Sequence, residues 1–379
     1  MSAVSYPLSF GPYELLGEIS RGGMAEVHFA IRRGENPQRV YAIKRILPQH
    51  ATDPAFRRFF SAEIELSKSL SHPQVVETMD YGEVDRSPYL AMEYIHGRAL
   101  NRLLYALGSQ GRRLPVPFAA YIAMRALDGL QYIHQAHDPQ GRRIDAVICD
   151  ISPSNIMVGY DGSIKLIDFG IATSRLRFFE QIGMLKGKKN YMSPEQLRGL
   201  PLDHRADIFA MGLCLFELLT AQAVFSGKSD FEVEEAVRSG KLPQLSERAQ
   251  NLPKGLEEVV HKALELSPDA RYASAGDFAR ALEPFARLGK GKSVGPEELA
   301  KVLPVYIVSM IKQDDQRLAD VLARIERQPE PAWAGSEMPT EVSAAPATTA
   351  AVSGAPEEPG TESPGAGPDE PAVAARSSG

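Results

Sequence analysis

The sequence predicts an α+β protein with two lobes, a small β-rich lobe at residues 13–95 and a larger helical lobe at residues 96–285. Two observations lead to this prediction: short β-prone runs separated by turns dominate the first segment, and helical periodicity dominates the second. A hydrophobic content of 44% in 379 residues supplies enough apolar surface for such a core. No internal repeat is visible, so the pattern does not indicate a repeat architecture.

The strands of the first lobe are predicted from runs rich in β-branched and aromatic residues. These runs are residues 13–20, 27–32, 40–47, 75–81 and 89–95. One helix interrupts them between the third and fourth strands. Asp53 is a suitable cap for this helix because Pro54 follows at the first helical position, and the helix is expected to stop near Pro73.

The second lobe is predicted to be mainly helical, with helices at residues 118–135, 204–220, 256–266 and 274–285. Two short β-like runs in it flank a turn at Asp161 and Gly162. Residues 1–12 are assigned to an N-terminal extension. Residues 286–327 are assigned to one or two extra helices, because helical periodicity continues there and is interrupted near Pro304. The pattern gives these helices no function.

Residues 328–379 form an acidic tail rich in Pro, Ala, Gly, Ser, Thr and Glu. Such a composition cannot bury enough apolar surface to offset chain entropy, so the tail is predicted to be disordered and is a candidate segment for recruiting partners. It holds eight acidic residues and one basic residue, Arg376, so its formal net charge is −7, against −6 for the whole chain. Because the remainder has no strong basic surplus, no nucleic-acid partner is predicted.

Cysteine usage and hydropathy indicate a reducing, cytoplasmic location. Cys149 and Cys214 are too few for a disulfide framework, and neither lies in a CxxC spacing. The N-terminus lacks the basic and apolar regions of a signal peptide. The apolar runs stay well below the roughly 18 residues that a spanning helix needs, so no membrane span is predicted.

A glycine-rich turn, ISRGGMAEV, lies between the first two predicted strands. Glycines allow backbone N–H groups to approach phosphates closely, which a side chain would obstruct. Taken alone, however, this glycine-rich segment more often indicates an ordinary hairpin turn. The next strand places Lys44 in an apolar run, where it needs an anionic partner, and the predicted helix offers Glu63. Taken alone, Lys44 is more simply interpreted as reaching the surface from a half-buried strand.

The strongest pattern is the segment VICDISPSNIMVGYDGSIKLIDFG at residues 147–170. It carries Asp150, Asn155 and Asp168 on two turns. A carboxylate that accepts a hydroxyl proton, with an amide oxygen and a second carboxylate that hold magnesium, suits phosphoryl transfer to an alcohol.

These motifs, followed by YMSPEQ, occur in the order glycine loop, YAIK, helix glutamate, D-x-x-x-x-N and DFG. The ordered set resembles the eukaryotic-like (Hanks-type) serine/threonine protein kinases of bacteria over about residues 13–285. The resemblance implies the bilobal protein kinase fold, ATP with Mg²⁺ or Mn²⁺ as cofactors, and protein substrates. It makes Asp150 the catalytic base and Asn155 and Asp168 the metal ligands. Lys44 becomes the ligand of the α- and β-phosphates, with Glu63 as its ion-pair partner.

The resemblance also implies a full nucleotide site. Its residues are Ser20, Arg21, Gly22, Gly23, Val27, Ala42, Lys44, Met92, Glu93, Ile95, Asn155 and Asp168. Among them Met92 is the gatekeeper, and the backbone of residues 93–95 is the hinge that binds adenine. Glu195 is expected to pair with Arg271, and Asp207 is expected to anchor the catalytic loop.

The catalytic loop departs from the family's pattern. The family's His-Arg pair before the catalytic aspartate is Ile148-Cys149, and Ser152 replaces the lysine that steadies the transferring phosphate. Ser154 supplies no arginine in compensation. Two functions therefore stay open: an active serine/threonine kinase, and a pseudokinase that acts as a nucleotide-binding scaffold or allosteric partner.

The activation loop departs as well. Its central part, residues 175–190, contains no serine or threonine and no tyrosine, although Thr173 and Ser174 lie just before it. Cys149 replaces the arginine that receives an activation-loop phosphate in relatives. Because both parts of that switch are absent, activation-loop phosphorylation is predicted not to control this chain. Lys188, where the family usually has threonine, is either a contact for substrate or phosphate or a solvated side chain.

Overall fold

The protein is described by a computed structural model over residues 6–36, 39–138, 140–169 and 188–326. The described residues form the two-lobed α+β architecture that the sequence predicts. The predicted tail at residues 328–379 and the greater part of segment 175–190 lie outside these ranges.

The first lobe is a six-stranded antiparallel sheet in the order β1-β2-β3-β4-β6-β5. Its strands are β1 (Leu8–Phe10), β2 (Tyr13–Arg21), β3 (Ala25–Arg32), β4 (Val40–Ile46), β5 (Thr78–Val84) and β6 (Ser87–Glu93). Strand β1 was not predicted, and it pairs with β2 through Phe10 opposite Tyr13. Strand β5 begins later than predicted, because Val75 forms only an isolated bridge to Leu166 of the second lobe.

Helix α1 (Pro54–Ser67) packs against the sheet of the first lobe. Its predicted cap is confirmed, since the Asp53 carboxylate accepts a hydrogen bond from the backbone N–H of Ala55 at 2.8 Å. The side chains at Phe56, Phe60, Glu63 and Ile64 recur at helical spacing and are buried. This packing directs one carboxylate, that of Glu63, into a face that is apolar apart from Ser67.

The second lobe is built from helices and one small sheet, β7-β8-β9. The strands are β7 (Gly97–Ala99), β8 (Ile156–Gly159) and β9 (Ile164–Leu166). The helices are α2 (Leu100–Gly108), α3 (Val116–His134), α4 (Pro194–Arg198), α5 (Arg205–Thr220), α6 (Asp230–Ser239), α7 (Leu245–Arg248), α8 (Leu256–Ala263) and α9 (Ala275–Leu282). Helix α2 was not predicted, although its four buried leucines recur at helical spacing.

Helix α5 lies in the middle of the second lobe. Every residue from 206 to 220 is buried, which agrees with its nearly uninterrupted apolar sequence. Two of these buried residues, Asp207 and Glu217, carry carboxylates. Buried carboxylates require hydrogen-bond partners. Asp207 accepts a hydrogen bond from Ile148, and Glu217 accepts one from Tyr191.

Two helical segments that meet at a kink, together called α10 (Pro296–Glu326), occupy the region for which one or two extra helices were predicted. Pro304 lies inside it, and the backbone leaves helical geometry at Ile307, with φ −134° and ψ 30°. The break follows the proline by less than one turn, and proline lacks the N–H that a helix interior uses. Within the described ranges, no helix combines the length and apolar composition required to cross a membrane.

Candidate active site

The register of the first sheet brings four predicted residues to one face. Lys44 lies directly opposite Val27 across β3 and β4, and Ala42 lies opposite Met92 across β4 and β6. Residues two apart on a strand and residues paired across strands share a face, so all four side chains point to the same side. Ala42 and Met92 belong to the main apolar cluster, and Val27 packs against it.

Lys44 is the buried cation of this face. Its Nζ lies 2.5 Å from Glu63 Oε1 and 2.7 Å from Asp168 Oδ1, and its side chain is 7% exposed. Glu63 comes from the buried face of α1, and Asp168 comes from the segment that follows β9. A buried charge is tolerated only when it is paired in this way. The alternative that Lys44 reaches the surface is therefore wrong.

The loop before β8 is held by Asp207 of α5. The Asp207 carboxylate accepts hydrogen bonds from the backbone N–H of Ile148 at 2.9 Å and of Cys149 at 2.8 Å, and it lies 2.9 Å from His134 Nε2. Cys149 has a φ of +59°, which is uncommon for a residue other than glycine. The carboxylate thus stabilises a strained turn immediately before Asp150, and the predicted anchoring by Asp207 is confirmed.

Asp150, Asn155 and Asp168 are joined through the backbone. Asn155 Nδ2 donates a hydrogen bond to the backbone oxygen of Asp150 at 2.8 Å. The backbone N–H of Ile167 donates to the backbone oxygen of Asn155 at 2.9 Å, next to Asp168. Asp168 itself has a φ of +65°. The structure therefore places Asn155 against the backbone of Asp150 and Asp168 against Lys44.

The donor set of this site fits a magnesium ion. The side-chain N–H of Asn155 donates to the backbone oxygen of Asp150, so the amide oxygen of Asn155 is the atom that could bind a metal. Asp168 supplies a carboxylate. Magnesium in nucleotide sites binds one or two such protein oxygens and completes its coordination with phosphate oxygens and water. Lys44 faces two carboxylates, those of Glu63 and Asp168, so the added positive charge of a metal would be favourable here.

The unusual side chains of the catalytic loop are themselves uncharged. Ile148 and Phe169 are each 2% exposed and belong to the same apolar cluster. Burial raises the pKa of the Cys149 thiol far above its usual range, so this side chain is neutral at pH 7. The Ser152 hydroxyl lies 2.7 Å from Ser154 Oγ. A neutral pair of hydroxyls thus replaces the cation that the family's pattern places two residues after the catalytic aspartate.

The segment between the lobes begins at the end of β6. The backbone N–H of Glu93 donates to the backbone oxygen of Glu77 at 3.1 Å, and the Glu93 carboxylate lies 2.5 Å from Lys165 Nζ. These contacts fix the backbone and side chain of Glu93, which directly follows the buried Met92. Sequence reasoning missed Lys165, because nothing in its own strand indicates that it reaches the end of β6.

The glycine-rich turn joins β2 to β3. The backbone N–H of Gly22 donates to the backbone oxygen of Ala25 at 2.8 Å, and Ser20 lies opposite Val27. The Arg21 guanidinium lies 2.5 Å from a carboxylate oxygen of Glu26, with Glu18 also within ion-pair distance. Because its side chain is engaged there, only the backbone of Arg21 is suited to the predicted phosphate contact.

Two buried carboxylates support the segment after residue 188. Glu195 accepts hydrogen bonds from both terminal nitrogens of Arg271, at 2.7 and 2.8 Å, so the predicted pair is confirmed. Glu217 of α5 accepts a hydrogen bond from the Tyr191 hydroxyl at 3.0 Å, and burial raises the pKa of Glu217 to about 7. The predictions for Thr173 and Ser174 and for the side chain of Lys188 fall outside the described parts of the chain.

Comparison with known proteins places this chain among phosphotransferases. A family model for the protein kinase domain matches residues 13–281. The chain is 37% identical over 278 residues to tyrosine-protein kinase MasK of Myxococcus xanthus (strain DK1622), which covers 73% of this chain and 43% of that protein. It is 33% identical over 298 residues to serine/threonine-protein kinase PknB of Mycobacterium leprae (strain TN), with coverages of 77% and 44%. The chain therefore spans less than half the length of these curated relatives.

A solved structure matches over the same region. The PknI kinase domain of Mycobacterium tuberculosis is 26% identical, with a TM-score of 0.56. The match covers 74% of this chain and 98% of that one. The two-lobed fold is thus that of a protein kinase domain.

Proposed function

This chain belongs to the protein kinase family, of the bacterial serine/threonine type, and we propose that it is an active enzyme that transfers the γ-phosphate of ATP to serine or threonine of other proteins. One observation carries the proposal. Lys44 contacts both Glu63 and Asp168, and two further hydrogen bonds link the segment of Asp168 to Asn155 and the Asn155 side chain to the backbone of Asp150. We place the catalytic unit at residues 13–285, and we assign the recruitment of partners to the tail at residues 328–379.

In this proposal Asp150 accepts the proton of the substrate hydroxyl. The hydroxyl oxygen bonds to the γ-phosphorus while the bond from that phosphorus to the β–γ bridging oxygen breaks, and ADP leaves. Lys44, oriented by Glu63, binds the α- and β-phosphates. Asn155 and Asp168 would hold magnesium, which would neutralise charge on the phosphates. These residues act by positioning and by electrostatic stabilisation, which supply most of the catalysis in phosphoryl transfer.

The remaining nucleotide contacts come from the face and turns described above. Val27, Ala42 and Met92 offer an apolar surface to adenine, since they share the face that carries Lys44. The backbone of Glu93 and Ile95 is assigned to hydrogen bonds with the adenine edge. The turn between β2 and β3 is assigned to the phosphates, through its backbone N–H groups. The residues of this turn are Ser20, Arg21, Gly22 and Gly23, and the N–H of Gly22 donates within the turn to the backbone oxygen of Ala25.

A second candidate function is a pseudokinase that binds nucleotide without transferring phosphate. The observation that favours it is the Ser152–Ser154 hydroxyl pair, which brings no positive charge to the catalytic loop. Ile148 and Cys149 are likewise uncharged. We prefer the active enzyme, because the residues assigned to base, phosphate and metal are all present.

Wild-type protein incubated with radiolabelled ATP, magnesium or manganese and a generic substrate is expected to label serine or threonine, as phosphoamino acid analysis will show. Lys44→Met is expected to lower the labelling rate by about a hundredfold or more, because it removes a preorganised charge from the phosphates. Lys68→Met is the matched control, since Lys68 pairs with Glu65 at the end of α1, away from the site.

Three results would contradict parts of this proposal. Label that survives Lys44→Met would rule out the assigned site. Label on tyrosine alone would reverse the proposed specificity and agree with the name of the MasK relative. ATP-dependent thermal stabilisation of the wild type without any label would favour the pseudokinase.

We further propose that activation-loop phosphorylation does not switch this kinase. The support is chemical: Cys149 is a neutral thiol where relatives have an arginine, and its backbone N–H already donates to the Asp207 carboxylate, so Cys149 offers a phosphate no positive charge. Mass spectrometry after incubation with ATP is expected to find no stoichiometric site in residues 168–195 that activity requires. A single phosphorylated residue there, whose replacement by alanine abolishes activity, would refute this prediction.

A further inference from the structure

Helix α10 begins on the second lobe. Three apolar side chains in its first half are buried in the main apolar cluster: Leu299, Leu303 and Ile307. Arg112, just after α2, donates a hydrogen bond to the backbone oxygen of Val305 at 3.1 Å and lies 4.3 Å over the ring of Tyr306. This half of α10 is therefore part of the helical lobe.

The last turns of the same helix contact the first lobe. Arg324 Nη1 donates to the backbone oxygen of Leu16 at 2.8 Å, and Arg317 donates to the backbone oxygen of Glu18. The Arg317 guanidinium also lies 5.1 Å over the Phe29 ring. Val321 is buried in an apolar cluster with three residues of β2 and β3. The kinked helix α10 thus contacts both lobes, and its part after the kink at Ile307 packs on the strand that leads into the glycine-rich turn.

Between these two contacts, α10 presents an acidic pair to the segment that connects the lobes. Asp314 is 8% exposed, and its carboxylate accepts hydrogen bonds from Arg98 Nε at 2.5 Å and from the Tyr160 hydroxyl. Asp315 Oδ1 lies 3.2 Å from His96 Nε2. His96 directly follows Ile95, the residue assigned to adenine, and its backbone oxygen accepts a hydrogen bond from the N–H of Tyr160.

We propose that Asp314 is a positioning residue for nucleotide binding, which acts through Arg98 and Tyr160 on the segment between the lobes. A nucleotide in the proposed site touches both lobes, so its affinity depends on how closely the empty protein already has the bound arrangement. The ion pair of the half-buried Arg98 with the buried Asp314 ties α10 to that segment, and the other contacts of α10 tie it to each lobe. The inference rests on the proposed function only in naming ATP as the ligand.

The test compares Asp314→Asn with Asp320→Asn, which lies on the same helix and whose carboxylate contacts only the exposed Gln316 among its described hydrogen bonds. Asp314→Asn is expected to raise the dissociation constant of magnesium ADP by about five- to tenfold, as a coupling between separate groups typically does. It is expected to raise the KM for ATP by more than it lowers kcat. Asp320→Asn is expected to leave the dissociation constant within about twofold of the wild type, because an exposed polar contact contributes little.

Hydrogen exchange without nucleotide tests the same inference independently of ligand binding. Amides of residues 94–98 and 14–18 are expected to exchange faster in Asp314→Asn than in Asp320→Asn, and Asp314→Glu is expected to restore slow exchange in part. Unchanged exchange in both segments, or an ADP affinity in Asp314→Asn equal to that of the control, would overturn the inference. If the wild type binds no nucleotide, the proposed function fails and the exchange result alone decides the role of Asp314.

Discussion

Asp150→Asn is expected to lower kcat by about 10² to 10⁴, the usual contribution of a positioned general base. Asparagine has nearly the shape of aspartate and cannot accept the substrate proton. The hydrogen bond that Asp150 receives from Asn155 goes to its backbone oxygen, so this contact survives the substitution. ATP-dependent thermal stabilisation is therefore expected to persist, which separates loss of chemistry from loss of binding. The rate is measured with saturating ATP and a generic substrate.

Asp161→Asn is the matched control for this experiment. Asp161 lies in the turn between β8 and β9, and its carboxylate accepts hydrogen bonds from the backbone and hydroxyl of Ser163. An asparagine there keeps an acceptor oxygen, so the rate is expected to stay within about twofold of the wild type. If Asp150→Asn turned over as fast as Asp161→Asn, Asp150 would not be the base.

Arg271→Met is expected to destabilise the protein by about 3–5 kcal/mol, because it leaves Glu195 as an unpaired buried charge. The Arg271 side chain is fully buried, and it also donates to the backbone oxygen of Glu265 at 2.8 Å. Urea unfolding, followed by circular dichroism, measures the change in the free energy of unfolding. This pair joins α4 to the segment before α9, so its loss is expected to weaken the packing of these two parts of the second lobe.

Two further variants test whether the loss of stability comes from the unpaired buried charge or from removing any arginine. Arg280→Met breaks an ion pair with Asp277 in which the arginine side chain is 71% exposed, so a loss of at most about 1 kcal/mol is expected. The double variant Arg271→Met with Glu195→Met removes both charges and is expected to be more stable than Arg271→Met alone. A double variant less stable than the single one would show that the unpaired charge is not the cause.

Much of the fold and of the candidate site was readable in advance because the signals are local. Asp53 before Pro54 predicts the start of α1, and the structure has that cap. Lys44 and Glu63 each lie in an apolar stretch of sequence, where a charge requires a partner of opposite sign. In the structure the two side chains pair with each other. The short strand β1 and helix α2 were missed, the first because three residues carry little periodicity and the second despite its leucine spacing.

The role of residues 296–326 was not readable, for a different reason. In the sequence alone, the acidic pair Asp314-Asp315 resembles a solvated pair on a helix, and nothing there indicates that Arg98 and Tyr160 contact Asp314. The contact of Lys165 with Glu93 was missed likewise. These partners are separated by 72 to 216 residues along the chain, and charged side chains carry no periodic pattern that reveals a distant partner.

The sequence by itself determined the order of the lobes, the glycine-rich turn and the identity of the groups suited to phosphate and metal, because these depend on residue type and short spacing. Only the tertiary structure decided that Lys44 is buried between two carboxylates and that Asp207 holds a strained Cys149. It also decided that α10 crosses from one lobe to the other. Such arrangements arise when distant segments pack together, because burial then determines which charges must pair and which backbone turns can be held under strain.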